Sequence, residues 1–399
     1  MNLSPPEVVT QQLRLRFFDL DAVIRSDSSA YVNLFARMYR RFQANGSSLP
    51  VQRSAEFTVL TNSDNRWGHP VMILDGEAWP LHDPRLLEGY TYEGVLNAIV
   101  ASVQSHFLIH AGVVSWNGEG IILVADGGHG KTTLVLELIR RGFQFLSDEM
   151  AALGRADGQV HPFPRSLRIR PGTLELVGFA EAATGAPEWL GKLLLDIEEI
   201  QPGSMGQAAA IGPIVILRDP AEARTERTGD AERELGVLVD RLDEALLAAV
   251  RQIEGVADVG TGVDRGYPLI RLHTVGKSRM SVLPHIEAVC QARRVLVLDV
   301  VKRAEGHPTF TTPARLEAMS HRQAVLELLR RFQGGHRSAL LQQEFGGSTT
   351  RLFMELATLV GHSSCHQLFV GSLSEMADLV CGLVGAPRRN WIGKESDER

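Results

Sequence analysis

Residues 125–132, Ala-Asp-Gly-Gly-His-Gly-Lys-Thr, have the residue types and spacing that hold a phosphate chain. The pattern is a small residue, four variable positions, then glycine, lysine and a hydroxyl residue. Glycines let such a loop curl with its N–H groups pointing inward, and the N-terminus of a following helix adds partial positive charge. Lys131 would reach the outer phosphates, and the Thr132 hydroxyl would ligate Mg²⁺. The sequence therefore predicts a nucleoside triphosphate site formed by Asp126, Gly127, Gly128, His129, Gly130, Lys131, Thr132 and Thr133.

The segments on either side of this loop favour the same interpretation. An apolar strand, GIILV, precedes it and an amphipathic helix, TTLVLELIRRG, follows it,. A further strand, LIHAGVVSW, precedes GIILV across NGEG, whose residues suit a hairpin turn,. Within the loop, His129 is expected to contribute its backbone N–H rather than side-chain chemistry. The alternative is a glycine-rich loop that only turns the chain.

Two adjacent acids, Asp148 and Glu149, follow the strand FQFLS. A strand of a parallel sheet presents its functional groups at its carboxyl end, so these carboxylates are expected near the phosphates. There they would hold Mg²⁺ and polarise the attacking group. Alternatively, one or both face solvent or cap the next turn.

His110 lies on the strand before the loop strand, and the hairpin between the two strands would place it beside the phosphates. An imidazole in this position holds a phosphoryl oxygen or relays a proton. The alternative is a histidine satisfied within an apolar core.

Three arginines, Arg165, Arg168 and Arg170, occur within FPRSLRIRPG. On a strand, Arg168 and Arg170 would share one face, opposite Leu167 and Ile169. Arginine side chains suit phosphate or carboxylate recognition, which makes all three candidate substrate or phosphate ligands. A solvated strand edge is the alternative.

Composition excludes several classes of protein. The chain has 399 residues, 44% of them hydrophobic, and a net charge of −6, which argues against broad electrostatic binding of nucleic acid,. Its 3 cysteines include no CxxC pair, so neither a disulfide framework nor a zinc ribbon is expected,. No segment has the features of a secretion signal or a membrane span, and a cytoplasmic protein is expected.

Hydrophobic patterning predicts a mixed α/β protein with three regions. These are an N-terminal α/β lobe (1–100), a core around the loop (101–310) with a charged insertion near 220–234, and a mostly helical C-terminal region (311–399). Within the core, the stretch LGVLVDRLDEALLAAVRQI is predicted to form one amphipathic helix,.

The stretch from LIHAGVV to FLSDEM resembles the catalytic domain of HPr kinase/phosphorylase, with the strongest match over residues 106–155. The shared pattern is a His-Ala strand, a hairpin, the phosphate loop, a helix ending near Arg-Gly, and two adjacent acids. The resemblance implies a P-loop kinase fold related to phosphoenolpyruvate carboxykinase, and an enzyme that uses ATP and Mg²⁺ to phosphorylate a hydroxyl. It implies that His110 lies near the transferred group, that Asp148 assists with metal and phosphate, and that Glu149 accepts the substrate proton. An exchange of roles between the two acids is the alternative, because Glu149 is one methylene longer than the family's aspartate.

Outside this stretch, the sequence departs from true HPr kinases. Glu149 stands where the family has aspartate, and neither the Glu-Ile-Arg-Gly signature nor the basic Pro-Gly-Arg-Asn loop is present. Lys277 and Arg279, in VGKSRMSV, are candidate substitutes for that loop. FPRSLRIRPG and the C-terminal helices are similar to a looser group of HPr-kinase-related proteins, some of them encoded beside peptide-modifying enzymes. HPr itself is therefore a poor candidate for the substrate.

Three functional hypotheses follow. The leading one is a kinase acting on a hydroxyl of a peptide, a protein or a small molecule, with no membrane or nucleic-acid partner. The sequence leaves open whether the protein forms a homo-oligomer. The second is a catalytically weak nucleotide-binding regulatory or scaffold protein. The third is an ATPase switch; a GTPase is disfavoured because the chain has no Asn-Lys-x-Asp motif.

Overall fold

The computed structural model describes residues 11–43, 53–62, 64–65, 67–74, 76–81, 87–126, 129–218, 233–264, 267–275, 279–295, 297–301, 313–335 and 338–387. Gly127, Gly128, Lys277 and most of the charged stretch 220–234 lie outside these ranges. The chain packs as two units, one of Met1–His82, Thr91–Arg218 and Thr309–Arg399, the other of Asp83–Tyr90 and Asp219–Pro308. The three regions predicted from the sequence do not coincide with these units, because the first and last regions pack in the same unit.

The described chain is mixed α/β, as predicted. Its strands are β1 (Gln11–Phe17), β2 (Leu20–Ser26), β3 (Arg53–Leu60), β4 (Val71–Leu74), β5 (Glu77–Pro80), β6 (His106–His110), β7 (Gly112–Trp116), β8 (Glu119–Val124), β9 (Gln144–Ser147), β10 (Met150–Gly154), β11 (Gln159–His161), β12 (Leu167–Ile169), β13 (Glu188–Trp189), β14 (Lys192–Leu195), β15 (Ala209–Arg218), β16 (Arg233–Val239), β17 (Val256–Asp264), β18 (Tyr267–Thr274), β19 (Val297–Val301), β20 (Arg315–Ala318) and β21 (Cys365–Phe369). Its α-helices are α1 (Ser29–Met38), α2 (Leu87–Ser102), α3 (Lys131–Arg140), α4 (Pro171–Leu176), α5 (Ile197–Ile200), α6 (Glu244–Arg251), α7 (Arg279–Ala292), α8 (His321–Arg330), α9 (Thr349–Leu359) and α10 (Leu373–Leu383).

The first unit contains three sheets. An N-terminal sheet has the order β1-β2-β3-β4-β5, and a small sheet has the order β12-β14-β13. The central sheet has the order β6-β10-β11-β15-β8-β7-β9. Two further strands extend it, because β21 pairs with β15 and β20 pairs with β21. Helix α1 follows β2, and the Ser28 side chain caps it by accepting the N–H of Tyr31,. Among the described helices, none is long and apolar enough to cross a bilayer.

In the central sheet, the run from β6 to β7 lies antiparallel to the run from β9 to β10, and both runs are interrupted at the same point. Strands β6 and β7 are separated only by Ala111, and they pair with β10 and β9 respectively. Across the break, the N–H of Ala111 donates to the carbonyl of Glu149 over 3.1 Å. The residues Asp148 and Glu149 therefore interrupt one strand opposite the point where Ala111 interrupts the other.

Helices cover both faces of the central sheet. Along β8, Ile121 and Leu123 pack in one core with α3 and α10. Ile122 and Val124 pack in a second core with α8 and α9. Because successive strand residues point to opposite faces, residues 121–124 of this strand are buried on both sides, which is why they form a continuous hydrophobic run,.

The second unit contains a β-α-β-β-α-β arrangement formed by β16, α6, β17, β18, α7 and β19, with strand order β17-β18-β16-β19. This is the split β-α-β topology. The single helix predicted for LGVLVDRLDEALLAAVRQI was wrong, because Leu235, Val237 and Val239 belong to strand β16. The helix begins only at Glu244, where the Asp243 side chain accepts the N–H of Leu246,.

Candidate active site

The loop after β8 leads directly into helix α3. Gly130 adopts a left-handed conformation with φ of 79°, and the helix begins at Lys131. A side chain is strained in this conformation, which explains the glycine. His129 is buried, and its Nδ1 lies 3.1 Å from the carbonyl oxygen of Asp126. Its side chain therefore packs inside the loop, a contact that the sequence did not predict.

His110 lies beside Lys131, although not in the way the sequence suggested. It ends β6, which pairs with β10, whereas the hairpin to the loop strand is formed by β7. Even so, its Nε2 lies 3.0 Å from Nζ of Lys131. Because an ammonium group can only donate, Nε2 acts as the acceptor when Lys131 is charged.

Lys131 loses its proton more easily than an ordinary lysine. Its pKa is lowered from 10.5 to about 7, mainly because burial disfavours the charged form; Arg165 and Arg331 act in the same direction, and the charge of Asp148 opposes the change,. A lysine in this state regains its charge when an anion binds beside it.

The two acids occupy different environments. Glu149 is half-buried, and its Oε1 lies 4.0 Å from Nδ1 of His110, which is too far for a hydrogen bond,. Its other oxygen pairs with the Arg165 guanidinium. Asp148 is buried, and its Oδ1 has no hydrogen-bond partner among the described residues.

The strand that carries the acids is not directly beside the loop strand. Strand β9 pairs with β7, which in turn pairs with β8. Since both pairings are antiparallel, β8 and β9 run in the same direction and their carboxyl ends meet at one edge. The acids therefore come to the edge that carries the phosphate loop, with β7 lying between their strand and the loop strand.

Gly112 lies close to Val135, Lys131 and Asp148. A Cβ added there would lie 2.9 Å from Cγ2 of Val135, 3.4 Å from Cγ of Lys131 and 3.6 Å from the carbonyl oxygen of Asp148. The absence of a side chain at this position lets Lys131 pass close to the strand that carries the acids.

Arg165 is held in place by buried tyrosines. Its guanidinium donates to the Tyr92 hydroxyl over 2.5 Å, and the Tyr39 hydroxyl lies 3.0 Å from that of Tyr92. Burial acts to lower the pKa of Arg165, but Tyr92 and Asp148 outweigh it and raise the pKa above its ordinary value. The arginine is therefore a fixed positive charge beside Glu149.

The structure also describes Arg168, Arg170 and Arg279. Leu167 and Ile169 are buried while Arg168 and Arg170 are more exposed, as the alternation predicted. Arg168 stacks over Trp189 with 4.8 Å to the ring centroid and lies 3.4 Å from Glu93. Arg279 begins α7 of the second unit.

Arg331 is a basic residue of the site that the sequence did not reveal. It follows α8, and its side chain donates to Asp126 of the phosphate loop over 3.1 Å. Its carbonyl accepts the N–H of His110 over 2.8 Å. No local motif marks it, because it comes from the C-terminal region and meets the site through long-range pairing.

A cleft of about 210 Å³ opens beside the acids. His110, Glu149 and Arg165 line it together with Glu93, Leu96, Asn97, Met150, Phe163 and Gln333. The lining combines two carboxylates, two amides, an imidazole and a guanidinium with three apolar side chains, so a small polar group fits it best,.

The residues expected to hold Mg²⁺ suit a hard cation. Thr132 lies in the first turn of α3, and Asp148 has an unpartnered buried oxygen. Oxygen ligands from one or two side chains, completed by substrate phosphates, are the usual environment of Mg²⁺. No group of three or more candidate ligands from histidine, cysteine, aspartate or glutamate occurs among the described residues.

Comparisons with known proteins point to one family. No family model matches the chain. Over 70 residues it is 36% identical to the HPr kinase/phosphorylase of Clostridium beijerinckii, a match that covers 18% of this chain and 22% of that protein. The chain therefore spans less than a quarter of this curated relative. The HPr(Ser) kinase/phosphatase from Coxiella burnetii matches 47% of this chain and 96% of its own at 15% identity, but with a TM-score of 0.21, which carries no structural argument. The chain has an HPr kinase-like relationship, carried by the matched segment.

Proposed function

We propose that this protein is an ATP-dependent kinase that transfers the γ-phosphoryl group to a hydroxyl. One observation carries the proposal: Lys131, His110 and Glu149 come from three separate elements and meet at one edge of the central sheet, beside a cleft. The HPr kinase-like relationship supports the same class of reaction.

In this proposal each side chain has a distinct role. Lys131 binds the outer phosphates, together with backbone N–H groups of residues 126–133 and the N-terminus of α3. His110 holds a phosphoryl oxygen and orients Lys131. Glu149 faces the cleft and accepts the proton of the attacking hydroxyl. Thr132 and Asp148 would hold Mg²⁺, which neutralises charge on the phosphates when bound.

The transfer forms one bond and breaks another. The substrate oxygen bonds to the γ-phosphorus as its proton passes to Glu149, and the bond from that phosphorus to the β–γ bridging oxygen breaks to release ADP. Most of the rate would come from positioning and from charge neutralisation by Lys131 and Mg²⁺.

The cleft limits what carries the hydroxyl. Ligand pockets commonly have volumes of about 300–1,000 Å³, and this cleft has about 210 Å³. A serine or threonine side chain of a peptide or protein fits this size, and so does a small hydroxyl compound.

The second hypothesis, a catalytically weak nucleotide-binding protein, is favoured by one contact. The pairing of Glu149 with Arg165 occupies one of the two carboxylate oxygens that would otherwise be available to the attacking hydroxyl. Such a protein would bind ATP tightly without turnover. An ATPase switch would instead hydrolyse ATP without forming a phosphorylated product.

Incubation with γ-labelled ATP and Mg²⁺ against a panel of peptides and small hydroxyl compounds separates the three hypotheses. The kinase predicts label in an acceptor, and predicts that Lys131→Ala and Glu149→Gln both abolish it. Free labelled phosphate alone would favour the switch, and binding without turnover would favour the regulatory protein.

A further inference from the structure

Arg331 occupies a position that links the C-terminal region to the phosphate loop. The segment after α8 runs along the outer edge of β6: the N–H of His110 donates to the carbonyl of Arg331, and the N–H of Gln333 donates to the carbonyl of Leu108, each over 2.8 Å. These two backbone hydrogen bonds fix Arg331 beside the end of β6, where His110 contacts Lys131.

The side chain of Arg331 is nine-tenths buried and only partly satisfied. It pairs with Glu327 over 2.5 Å and with Asp126 over 3.1 Å. Its Nε has no hydrogen-bond partner among the described residues. A buried guanidinium with an unused donor is costly unless a further acceptor joins it.

Positive charge exceeds negative charge around Arg331. The buried carboxylate of Glu327 is shared with Arg218 over 2.9 Å and with Arg330 over 2.8 Å. Three arginines thus share the carboxylate of Glu327. Even with the carboxylate of Asp126 included, the group has more positive than negative charges. Arg218 ends β15, which is parallel to the loop strand β8 and pairs with it. The excess positive charge therefore lies at the edge of the sheet that carries the phosphate loop.

We propose that Arg331 binds the terminal phosphate of the nucleotide, and that Asp126 occupies its guanidinium until the nucleotide arrives. This inference rests on the proposed nucleotide site. Arginine binds phosphate through two parallel N–H groups, and a carboxylate presents similar oxygen geometry, so Asp126 resembles the ligand it would yield to. The C-terminal region would then complete the site that the phosphate loop begins.

Calorimetric binding of ATP and of ADP, each with Mg²⁺, tests this proposal. Arg331→Met is expected to weaken ATP binding by about 10- to 100-fold and ADP binding by less than about threefold, because only ATP carries the third phosphate. Arg331→Lys is expected to restore part of the loss. Arg330→Met is the matched control: Arg330 pairs with the same Glu327, but its side chain is 70% exposed, so neither nucleotide should be affected.

A second variant tests whether Arg331 binds phosphate or only stabilises the loop. Asp126→Asn removes the competing carboxylate, so it should strengthen ATP binding, and the gain should vanish when Arg331 is also methionine. If Arg331 only braced the loop, Asp126→Asn would weaken binding instead. Equal losses of ATP and ADP in Arg331→Met, or no loss, would overturn the proposal. Failure of the unaltered protein to bind ATP would overturn the proposed function itself.

Discussion

We expect the proposed binding of nucleotide to depend on pH through the protonation of Lys131. In the free protein, burial and the neighbouring arginines lower its pKa to about 7, so the side chain is largely neutral above that pH. Bound phosphates favour the ammonium form and raise the pKa again. Binding of ATP above pH 7 must therefore take up a proton, and the affinity must fall as the pH rises.

The size of the effect follows from the pKa. Below about pH 7 the lysine is already protonated and the affinity should be flat. Above it, the affinity should fall by about tenfold for each pH unit, or about 1.4 kcal/mol. Between pH 7.0 and 8.5 we expect a loss of roughly 15-fold, about 1.6 kcal/mol, as long as the bound pKa stays above this range.

Calorimetry with ATP in buffers of different ionisation enthalpy measures the number of protons taken up. Lys131→Arg is the control, because a guanidinium stays charged throughout this range. The pH dependence of ATP binding to this variant therefore reports only the protonation of the nucleotide and of other groups. The unaltered protein should take up close to one proton more than the arginine variant at pH 8.5. Identical proton uptake and identical pH slopes in the two proteins would refute the assignment.

Three further predictions concern neighbouring residues. Glu149→Gln should slow phosphoryl transfer by at least about 100-fold in single-turnover assays while ATP binding stays within threefold, since the carboxylate acts on the acceptor; a full-rate variant would contradict this. Tyr92→Phe leaves a buried donor of Arg165 unpaired and should lower the free energy of unfolding in urea by about 1–3 kcal/mol; an unchanged urea midpoint would show that the hydrogen bond contributes nothing. Gly112→Ala places a methyl group against Val135 and Lys131, and should cost about 1–3 kcal/mol of stability and weaken ATP binding; normal stability together with normal affinity would contradict the close approach.

The sequence predicted the parts of the site that depend on local pattern. The strand, loop and helix around Lys131 follow from one continuous run of residues, and the hairpin between β7 and β8 follows from Asn117 and Gly118, which both have positive φ. The proximity of His110 to Lys131 was predicted through the wrong pairing, because Ala111 divides what looked like one strand into two strands with different partners.

Other parts could not be predicted because they depend on long-range contacts. Arg331 is brought to the loop by backbone hydrogen bonds to β6. The sequence around it does not distinguish it from the adjacent Arg330. Arg165 stays a candidate ligand of phosphate or substrate, but its contacts with Glu149 and Tyr92 could not be read from the sequence. The strand β16 was mistaken for helix because a short apolar run before an amphipathic segment has no decisive periodicity.

A crystal structure with Mg²⁺ and a non-hydrolysable ATP analogue tests the central claim most directly. The account predicts the γ-phosphate within hydrogen-bond distance of Nζ of Lys131, with His110 beside it and the Glu149 carboxylate facing the cleft. A triphosphate bound elsewhere, or a γ-phosphate remote from these three side chains, would contradict it.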